Sequence, residues 1–365
     1  MMFGFLQTAF ERFAGRGSAA VTIPAMDGPL GPNTRLEDAA ILLDIAAPDN
    51  LVRGDDGIYF SSGTGIFLLP LPDGKARKVT AFDHDVTALA VAPNGLLAVG
   101  LDDGSICLTG GTRTYEAITK VPGVSRLCPT ALVFADSTTL LLCHGSNRHL
   151  SSKWQWSLME DDCSGSVWRY DLETGQATCL AANLAFPNGL AVLPGATDVA
   201  ISDAWRHRLI RVPLSGSGKP VPVLENLPGY PARLSSATGG GFWLSVFAPR
   251  SQLIELVLKE PAYKRKMMRE IANPNLWIAP ALSSGDSFLE PLQGGAVKQM
   301  GILKPWAPTR SYGLVIRLDP QFLAIESLHS RSDGQNHGVK SCIEIDGRLL
   351  VASTGGNKLL SAALG

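Results

Sequence analysis

The stretch that decides the fold is Phe186-Pro187-Asn188-Gly189-Leu190-Ala191-Val192, followed by Asp198-Val199-Ala200-Ile201-Ser202-Asp203. A loop that ends in Asn-Gly leads into a short apolar run. A turn then leads into a second apolar run, which ends in small and acidic residues. Short apolar runs bounded by turn residues are typical of strands that are buried on both faces of a sheet. The stretch therefore predicts two neighbouring strands of one sheet.

The second of these strands recurs along the chain with a period of roughly 40 residues. Its copies cover residues 57–62, 95–100, 139–144, 198–203, 241–246 and 347–352. This period suits four-stranded blades, so we predict an all-β fold, a six-bladed β-propeller with four-stranded antiparallel blades. The apolar run from Ala39 to Ile45 is expected to join the C-terminal blade and close the ring, which removes open sheet edges.

Composition favours a single propeller domain. The chain has 365 residues, of which 38 are Gly, 24 are Pro and 18% are charged, and abundant Gly and Pro supply tight turns. We predict one propeller domain over residues 36–365, preceded by an extension over residues 1–35. Phe3, Leu6, Phe10 and Phe13 recur at helical spacing, which predicts a short amphipathic N-terminal helix.

Charge and cysteine content narrow the partners and the compartment. The formal net charge is −1 and no basic block occurs, so neither nucleic acid nor a membrane is expected as a partner. No signal peptide or apolar run of spanning length is evident, which predicts a cytoplasmic protein. The six cysteines show no metal-ligand spacing and are expected to be reduced, mostly buried thiols. A disulfide between Cys128 and Cys143 is the alternative.

Two insertions interrupt the repeat and are expected on the upper surface of the propeller. The first covers residues 147–162, and the second, residues 259–305, contains a predicted helix near 259–272. We expect both to flank the entrance of a pocket, with Trp154, Trp156 and Trp277 covering an apolar face of the substrate. The alternatives are that these rings pack the loops onto the body, or that the insertions are simple spacers.

Residues 152–231 resemble the strictosidine synthase-like branch of six-bladed propellers, which is related to the SMP-30/gluconolactonase group, the paraoxonases and the adipocyte plasma membrane-associated proteins. The motifs that carry the resemblance are Gly165-Ser166-Val167-Trp168-Arg169-Tyr170-Asp171, Phe186-Pro187-Asn188-Gly189 and Asn226-Leu227-Pro228-Gly229-Tyr230-Pro231. The resemblance implies the propeller fold. It does not specify a reaction, because such relatives include lactonases, phosphotriesterases, a carbon–carbon bond-forming synthase and proteins without known chemistry.

The lactonase relatives hold a divalent cation, commonly calcium, between oxygen ligands from different blades. The resemblance implies Asp49 and Asn188 as metal ligands and catalytic residues, although Asn188 also fits a turn-capping role. The third-blade Asn of the relatives is replaced by Pro129-Thr130, and the fifth-blade Asp-Asn pair by Ala232-Arg233. Because two of four ligand positions are lost and one gains a positive charge, no cofactor is firmly predicted, and calcium is the cation that the resemblance suggests.

The strictosidine synthase site differs as well, because Lys340 stands at the position of its catalytic glutamate. That condensation needs a base that removes a proton from carbon, so true strictosidine synthase activity is not expected. His337 matches a recurrent position of the family near the last inner strand. It is the predicted general base or substrate contact.

Further side chains are candidates for substrate binding at the channel mouth. We predict that Arg233 replaces the metal and grips a carboxylated substrate, with Asp49 or Asp203 as its partner in the empty site. A structural plug formed by Arg233 is the alternative. The other candidates are His144, Trp205, Asp203 and Lys340. His144 also fits a satisfied core histidine, and His207 a surface residue.

Two functional classes follow from these residues. The first is a lactonase-like hydrolase acting on a small, acidic metabolite in the central channel. The second is a catalytically silent propeller that binds a small ligand or a partner protein. A retained metal would favour the first class, and a channel plugged by Arg233 would favour the second.

Overall fold

The computed structural model describes the chain except for residues 1–22, 72–73, 112–114, 288, 292–297, 300–301, 304–309 and 365. The predicted N-terminal helix lies outside the described residues, and the predicted domain boundary at residue 36 stays a prediction. The described residues contain three α-helices, which are α1 (Trp154–Met159), α2 (Gln252–Leu258) and α3 (Pro261–Glu270). All other regular structure in the described residues consists of strands and short 3₁₀ turns.

The strands form six antiparallel blades. Blade 1 has β2 (Pro48–Gly54), β3 (Gly57–Ser62), β4 (Gly65–Pro70) and β5 (Arg77–Ala81); blade 2 has β6 (Val86–Val91), β7 (Leu97–Leu101) and β8 (Ile106–Thr109). Blade 3 has β9 (Pro129–Phe134), β10 (Thr139–His144), β11 (Gly165–Asp171) and β12 (Ala177–Leu184). Blade 4 has β13 (Pro187–Val192), β14 (Asp198–Asp203), β15 (Arg208–Pro213) and β16 (Val221–Leu224).

The last two blades carry the larger insertion and the ring closure. Blade 5 has β17 (Gly229–Ser236), β18 (Phe242–Pro249), β21 (Gly313–Leu318) and β22 (Ala324–Ser330), with the short pair β19 (Lys298–Gln299) and β20 (Ile302–Leu303) inserted between β18 and β21. Blade 6 has β23 (Val339–Ile345), β24 (Arg348–Ser353), β25 (Lys358–Ala363) and β1 (Ala40–Asp44). The first strand of each blade lies against the first strands of both neighbours, so these inner strands line a central channel.

The predicted fold class is confirmed, with one local difference. All six repeated strands are the second strands of their blades, and Ala40 of β1 pairs with Ser361 of β25, as expected for ring closure. In the described part of blade 2, the fourth strand is reduced to one bridge between Ile106 and Ile118. Helix α3 confirms the helical insertion, whereas α1 and α2 were not predicted. Ser251 caps α2 by accepting from the Ile254 amide.

The core lies between the faces of adjacent blades. Leu141 and Val167 of blade 3 pack in one cluster with Val199 and Ile201 of blade 4, and all four side chains are fully buried. Burial of such apolar surface is the main stabilising term of the fold. Because each blade is covered by its neighbours on both faces, the second strands read as nearly unbroken apolar runs.

Every inner strand has a register shift near its beginning. In four of them one extra residue is inserted, namely Thr87 in β6, Thr130 in β9, Asn188 in β13 and Lys340 in β23. Comparable shifts fall within residues 49–52 of β2 and 231–234 of β17. A β-bulge bends the strand and changes the direction in which a residue points. The six bulges therefore place irregular backbone at one end of the channel.

The same end of the channel carries both insertions, and we call it the upper face. One insertion connects β10 to β11 and contains α1; the other connects β18 to β21 and contains α2 and α3. Each insertion begins where the second strand of its blade ends. In an antiparallel sheet that point lies beside the start of the inner strand. The insertions therefore belong to the face on which the inner strands begin.

Candidate functional site

Arg233 crosses the channel from blade 5 to blade 1. Its Nε donates to Oδ1 of Asp49 at 3.0 Å, and its Nη2 donates to Oδ2 of the same carboxylate at 2.8 Å. The side chains are 12% and 6% exposed, respectively. Two parallel bonds between a guanidinium and a carboxylate form the strongest common type of ion pair. Of the two partners predicted for Arg233, Asp49 is therefore the one that the fold provides.

The remaining donors of Arg233 bind backbone carbonyls of three other blades. Nη1 donates to the Thr130 oxygen at 2.7 Å and to the Asn188 oxygen at 3.3 Å, and Nη2 donates to the Thr87 oxygen at 2.9 Å. All three acceptors are the extra residues of the bulges. A guanidinium has five N–H donors, and each of them has a partner here. Arg233 thus ties blades 1 to 5 together across the channel.

Lys340 binds the same carboxylate from blade 6. Its Nζ lies 2.6 Å from Oδ2 of Asp49, and its side chain is 27% exposed. Burial by itself would raise the pKa of Asp49, but the charges of Arg233 and Lys340 and their hydrogen bonds outweigh burial and lower it. Asp49 is therefore held as a carboxylate between two cations, and Lys340 is the more accessible of the two.

The residues at this position do not fit a calcium ion. Asp49 was predicted as a metal ligand, yet its carboxylate is already neutralised by Arg233 and Lys340. Asn188, the other predicted ligand, offers its backbone oxygen to Arg233. A hard divalent cation needs several oxygen ligands, and here it would have to displace two fixed positive charges.

Asp203 lies away from the channel, at the end of the second strand of blade 4. Its carboxylate is fully buried and accepts from the Ala185 amide at 2.7 Å and from Nε of Arg208 at 2.8 Å. These contacts connect the end of β14 to the loop before β13 and to β15. The predicted pairing of Asp203 with Arg233 is wrong, because its charge is satisfied inside blade 4.

His337 lies in the loop before β23, and both of its ring nitrogens have partners. Nε2 is 2.7 Å from the Arg331 carbonyl oxygen, and Nδ1 is 2.8 Å from Oγ of Ser311. A carbonyl only accepts, so the proton lies on Nε2 and Nδ1 accepts from the serine. Oγ of Ser284 lies 2.5 Å from Oγ of Ser311 and extends this chain. Burial lowers the pKa of His337 and favours the neutral ring; its catalytic role stays a prediction.

His144 is a fully buried histidine at the end of β10. Its Nδ1 accepts from the Cys128 amide at 3.0 Å, and its Nε2 lies 2.9 Å from Oδ1 of Asn147. Burial lowers its pKa. These contacts fit the alternative of a satisfied core histidine that orders the start of the first insertion.

All six cysteines are free thiols, so the alternative of a Cys128–Cys143 disulfide is wrong. Cys128, Cys143 and Cys342 are buried, whereas Cys163 and Cys179 are exposed. Burial raises the pKa of the Cys128 thiol to about 12. The expectation of mostly buried thiols is not met, because the buried set is half of the total, and their reduced state stays a prediction.

Trp205 lies in an aromatic cluster that docks the first insertion onto blades 4 and 5. Its ring stacks on Phe186 at 4.6 Å and lies 6.0 Å from Trp154, and its Nε1 donates to Oγ of Ser157 in α1. Trp154 also meets Phe247 of β18 edge-on at 5.4 Å. These rings fix the position of α1, which agrees with the packing alternative for Trp154.

Trp156 packs on the second insertion. Its ring centroid lies 4.8 Å from that of Trp277, which is fully buried among apolar side chains of both insertions. Lys264 of α3 adds an ion pair with Asp161 at 2.6 Å. The two insertions therefore form one joined structure on the upper face, and Trp277 serves as packing.

A cavity of about 320 Å³ lies between α1 and the segment that follows α3. Its wall includes the Trp154 ring, the amides of Gln155, Asn273 and Asn275, the Asp286 carboxylate and Arg310. Arg310 is 2% exposed, lies 3.5 Å from Glu290 and donates to the Asn275 carbonyl at 2.6 Å. Sequence reasoning missed this cavity, because its polar residues lie in an irregular insertion without a recognisable motif.

A second internal space lies in the channel below Arg233. It has a volume of about 240 Å³ and is lined mainly by apolar side chains of the inner strands, with Asn50 and Arg233 among the polar ones. Its walls include Leu51, Leu132 and Leu190. The guanidinium therefore separates this apolar space from the upper face.

Comparison with known proteins supports the relationship suggested by the motifs. The strictosidine synthase family matches residues 131–217. The adipocyte plasma membrane-associated protein of Danio rerio is 25% identical over 283 residues, which cover 69% of this chain and 67% of that protein. Its Bos taurus counterpart is 28% identical over 316 residues, covering 74% and 73%. The chain thus spans about two thirds of the length of the first of these relatives.

Solved structures agree in fold. A gluconolactonase from Xanthomonas campestris superposes with a TM-score of 0.57 at 15% identity, over 94% of this chain and 97% of that one. Regucalcin from Agrobacterium tumefaciens, described as a calcium-binding protein, superposes with a TM-score of 0.53 at 14% identity, over 89% and 93%. In the described residues, no helix is long and apolar enough to cross a membrane. The matches in family, sequence and fold confirm the predicted resemblance: the chain is a six-bladed propeller similar to the strictosidine synthase-like and gluconolactonase-like proteins.

Proposed function

We propose that this protein is a ligand-binding propeller whose channel is closed by Arg233, and that it does not use a metal-dependent lactonase site. The observation that carries this proposal is the donor count at Arg233. All five N–H groups bind Asp49 or backbone carbonyls of three other blades. A guanidinium without a remaining donor is poorly suited to grip a substrate, and it occupies the carboxylate that a metal would need.

The cavity between the insertions is the proposed ligand site. Its volume of about 320 Å³ lies at the lower end of the range for small-molecule pockets, which is about 300–1,000 Å³. Trp154 offers an aromatic surface, and the amides of Gln155 and Asn275 can each donate and accept. A flat apolar wall beside paired polar groups suits a small polyhydroxylated metabolite, such as a sugar or a sugar acid.

An acidic ligand remains part of the proposal, although Arg233 is not the residue that would hold it. Lys340 is 27% exposed and has donors beyond the one that reaches Asp49, but it lies at the channel mouth and does not line the cavity. Arg310 in the cavity is neutralised by Glu290. A carboxylate is therefore expected to contribute less to affinity in this cavity than the hydroxyl groups do.

The cavity is tested by titrating sugars, sugar alcohols and sugar acids into the purified protein and following heat and melting temperature. We expect a member of this set to bind, and Asn275→Ala to weaken it by about tenfold, because one or two hydrogen bonds are lost. Asn275 is exposed on the cavity wall, so the melting temperature without ligand should not change. Gln321→Ala, at an exposed position in a blade 5 turn, is the control.

Two outcomes would count against the cavity. The first is unchanged affinity in Asn275→Ala. The second is a Trp154→Ala variant that melts at a lower temperature but binds as before, since Trp154 would then serve packing alone. Equal weakening by Gln321→Ala would indicate binding elsewhere.

Hydrolysis of a lactone or ester is the second candidate function. It is favoured by the hydrogen-bonded chain from Ser284 through Ser311 to Nδ1 of His337. A neutral imidazole can take a proton from a serine hydroxyl. A screen of lactones and esters tests this candidate, and any activity found should disappear in Ser284→Ala and in His337→Gln. Activity that survives both replacements would exclude this chain of residues as its source.

A further inference from the structure

A second concave surface lies between the two insertions, outside the proposed ligand cavity. It is a cleft of about 650 Å³ between α1, the residues that follow it, and α3. Its apolar lining comes from Trp156 and Met268, together with Met159, which is only 2% exposed. Because the Trp156 ring is held edge-on against the buried Trp277 at 4.8 Å, this apolar lining is preformed.

The rim of the cleft carries more positive than negative charge. The basic side chains are Arg148, Lys264, Arg265 and Arg269, and the acidic ones are Glu160 and Asp161. The surplus is local, since the whole chain has a formal net charge of −1. A cleft lined mainly by one sign of charge attracts ligands of the opposite sign.

Both carboxylates of the rim are already engaged. Glu160 accepts from Nη2 of Arg148 at 2.7 Å and lies 3.0 Å from Nε2 of His149. Asp161 holds Nζ of Lys264 at 2.6 Å. Arg148 and Lys264 therefore balance the charges of Glu160 and Asp161. The two remaining basic side chains of the rim are not balanced by these acids.

The surplus charge belongs to Arg265 and Arg269. They are four residues apart on α3, so their side chains lie on the same face of the helix, and both line the cleft. Arg269 also contacts Glu270 at 3.3 Å, but these side chains are 72% and 52% exposed, and such a surface pair is weak. Met268 lies between the two arginines in sequence and contributes to the apolar lining.

We propose that this cleft binds a small organic anion with an apolar body, that is, an alkyl or aryl carboxylate or phosphate. The acid group is held by the guanidinium groups of Arg265 and Arg269, which can each make two parallel hydrogen bonds to such a group. The hydrocarbon part lies on Trp156 and Met268, whose ring and thioether adapt well to apolar ligands. The proposal concerns a separate surface from the polyhydroxylated-ligand cavity and does not depend on it.

The test is a titration of the protein with decanoate below its micelle concentration, followed by calorimetry and tryptophan fluorescence. We expect saturable binding of decanoate. Decanol and acetate should each bind more weakly by at least about tenfold, because decanol lacks the acid group and acetate lacks the hydrocarbon chain. Arg265→Glu and Arg269→Glu should each raise the Kd for decanoate by about tenfold or more. Lys219→Glu makes the same charge change at an exposed position in a blade 4 turn and should leave the Kd unchanged.

The same variants distinguish a specific anion site from damage to the fold and from general electrostatic attraction. Both arginines are exposed, so the melting temperature should stay within about 2 °C of the parent's. Unchanged decanoate affinity in both charge reversals would overturn the proposal. So would equal weakening by Lys219→Glu, which indicates attraction by overall charge. Binding to phosphatidylserine vesicles without binding to monomeric decanoate would assign the cleft to a lipid surface and would also overturn it.

Discussion

Replacing Arg233 by alanine should lower the free energy of unfolding by about 3–5 kcal/mol, as is typical when one partner of a buried ion pair is removed. The replacement leaves Asp49 buried with Lys340 as the cation beside it, and it removes the donors of three backbone carbonyls. Unfolding by denaturant near neutral pH measures the change. Ligand affinity in the cavity between the insertions should stay the same.

Two further variants make this result interpretable. Arg53→Ala removes an exposed arginine from β2, the inner strand that carries Asp49, and should change stability by less than about 0.5 kcal/mol. The double variant Asp49→Leu/Arg233→Met should be more stable than Arg233→Ala, because it removes the buried ion pair as a unit and leaves only Lys340, whose side chain is 27% exposed. If Arg233→Ala weakened an anionic ligand without lowering stability, Arg233 would be the substrate contact that the sequence suggested.

Acid should destabilise the protein well before its carboxylates are protonated. His329 is fully buried, with Nε2 at 2.8 Å from Oγ of Ser327 and Nδ1 at 3.1 Å from the Tyr312 hydroxyl. Burial lowers the pKa of His329 from 6.5 to about 4. Between these values the unfolded chain binds the proton and the folded chain does not, so stability falls as the pH falls. Order-of-magnitude linkage gives a loss of roughly 3 kcal/mol.

The loss of stability caused by His329 can be distinguished from the loss caused by the carboxylates, because the two occur in different pH ranges. The pKa of Glu255 is held at about 2 because His207 and Arg250 outweigh its burial, so its contribution is lost only as the pH falls below about 4. Unfolding free energies measured from pH 7 to pH 4 should therefore be flatter in His329→Gln than in the parent. His84→Gln, which replaces a half-exposed histidine, should keep the parent slope. A full slope in His329→Gln would contradict the assignment.

The sequence by itself determined the blade architecture. Strands of one blade are consecutive in the chain, so the order of apolar runs and turns is a local pattern that can be recognised without tertiary information. The six second strands, the closing strand Ala40–Asp44 and the helix Pro261–Glu270 all follow from such patterns. The loss of two metal-ligand positions at Pro129-Thr130 and Ala232-Arg233 was also visible, because it depends on residue type.

What Arg233 binds was decided by the tertiary structure. Residue type showed a cation at a former ligand position, and it left Asp49 and Asp203 as equal partners. The fold brings Asp49 to the channel and satisfies Asp203 within blade 4. The bulges turn the carbonyls of Thr87, Thr130 and Asn188 toward the guanidinium. Every residue has a carbonyl, so backbone acceptors leave no signature in the sequence, and only the packing of six blades around one channel selects them.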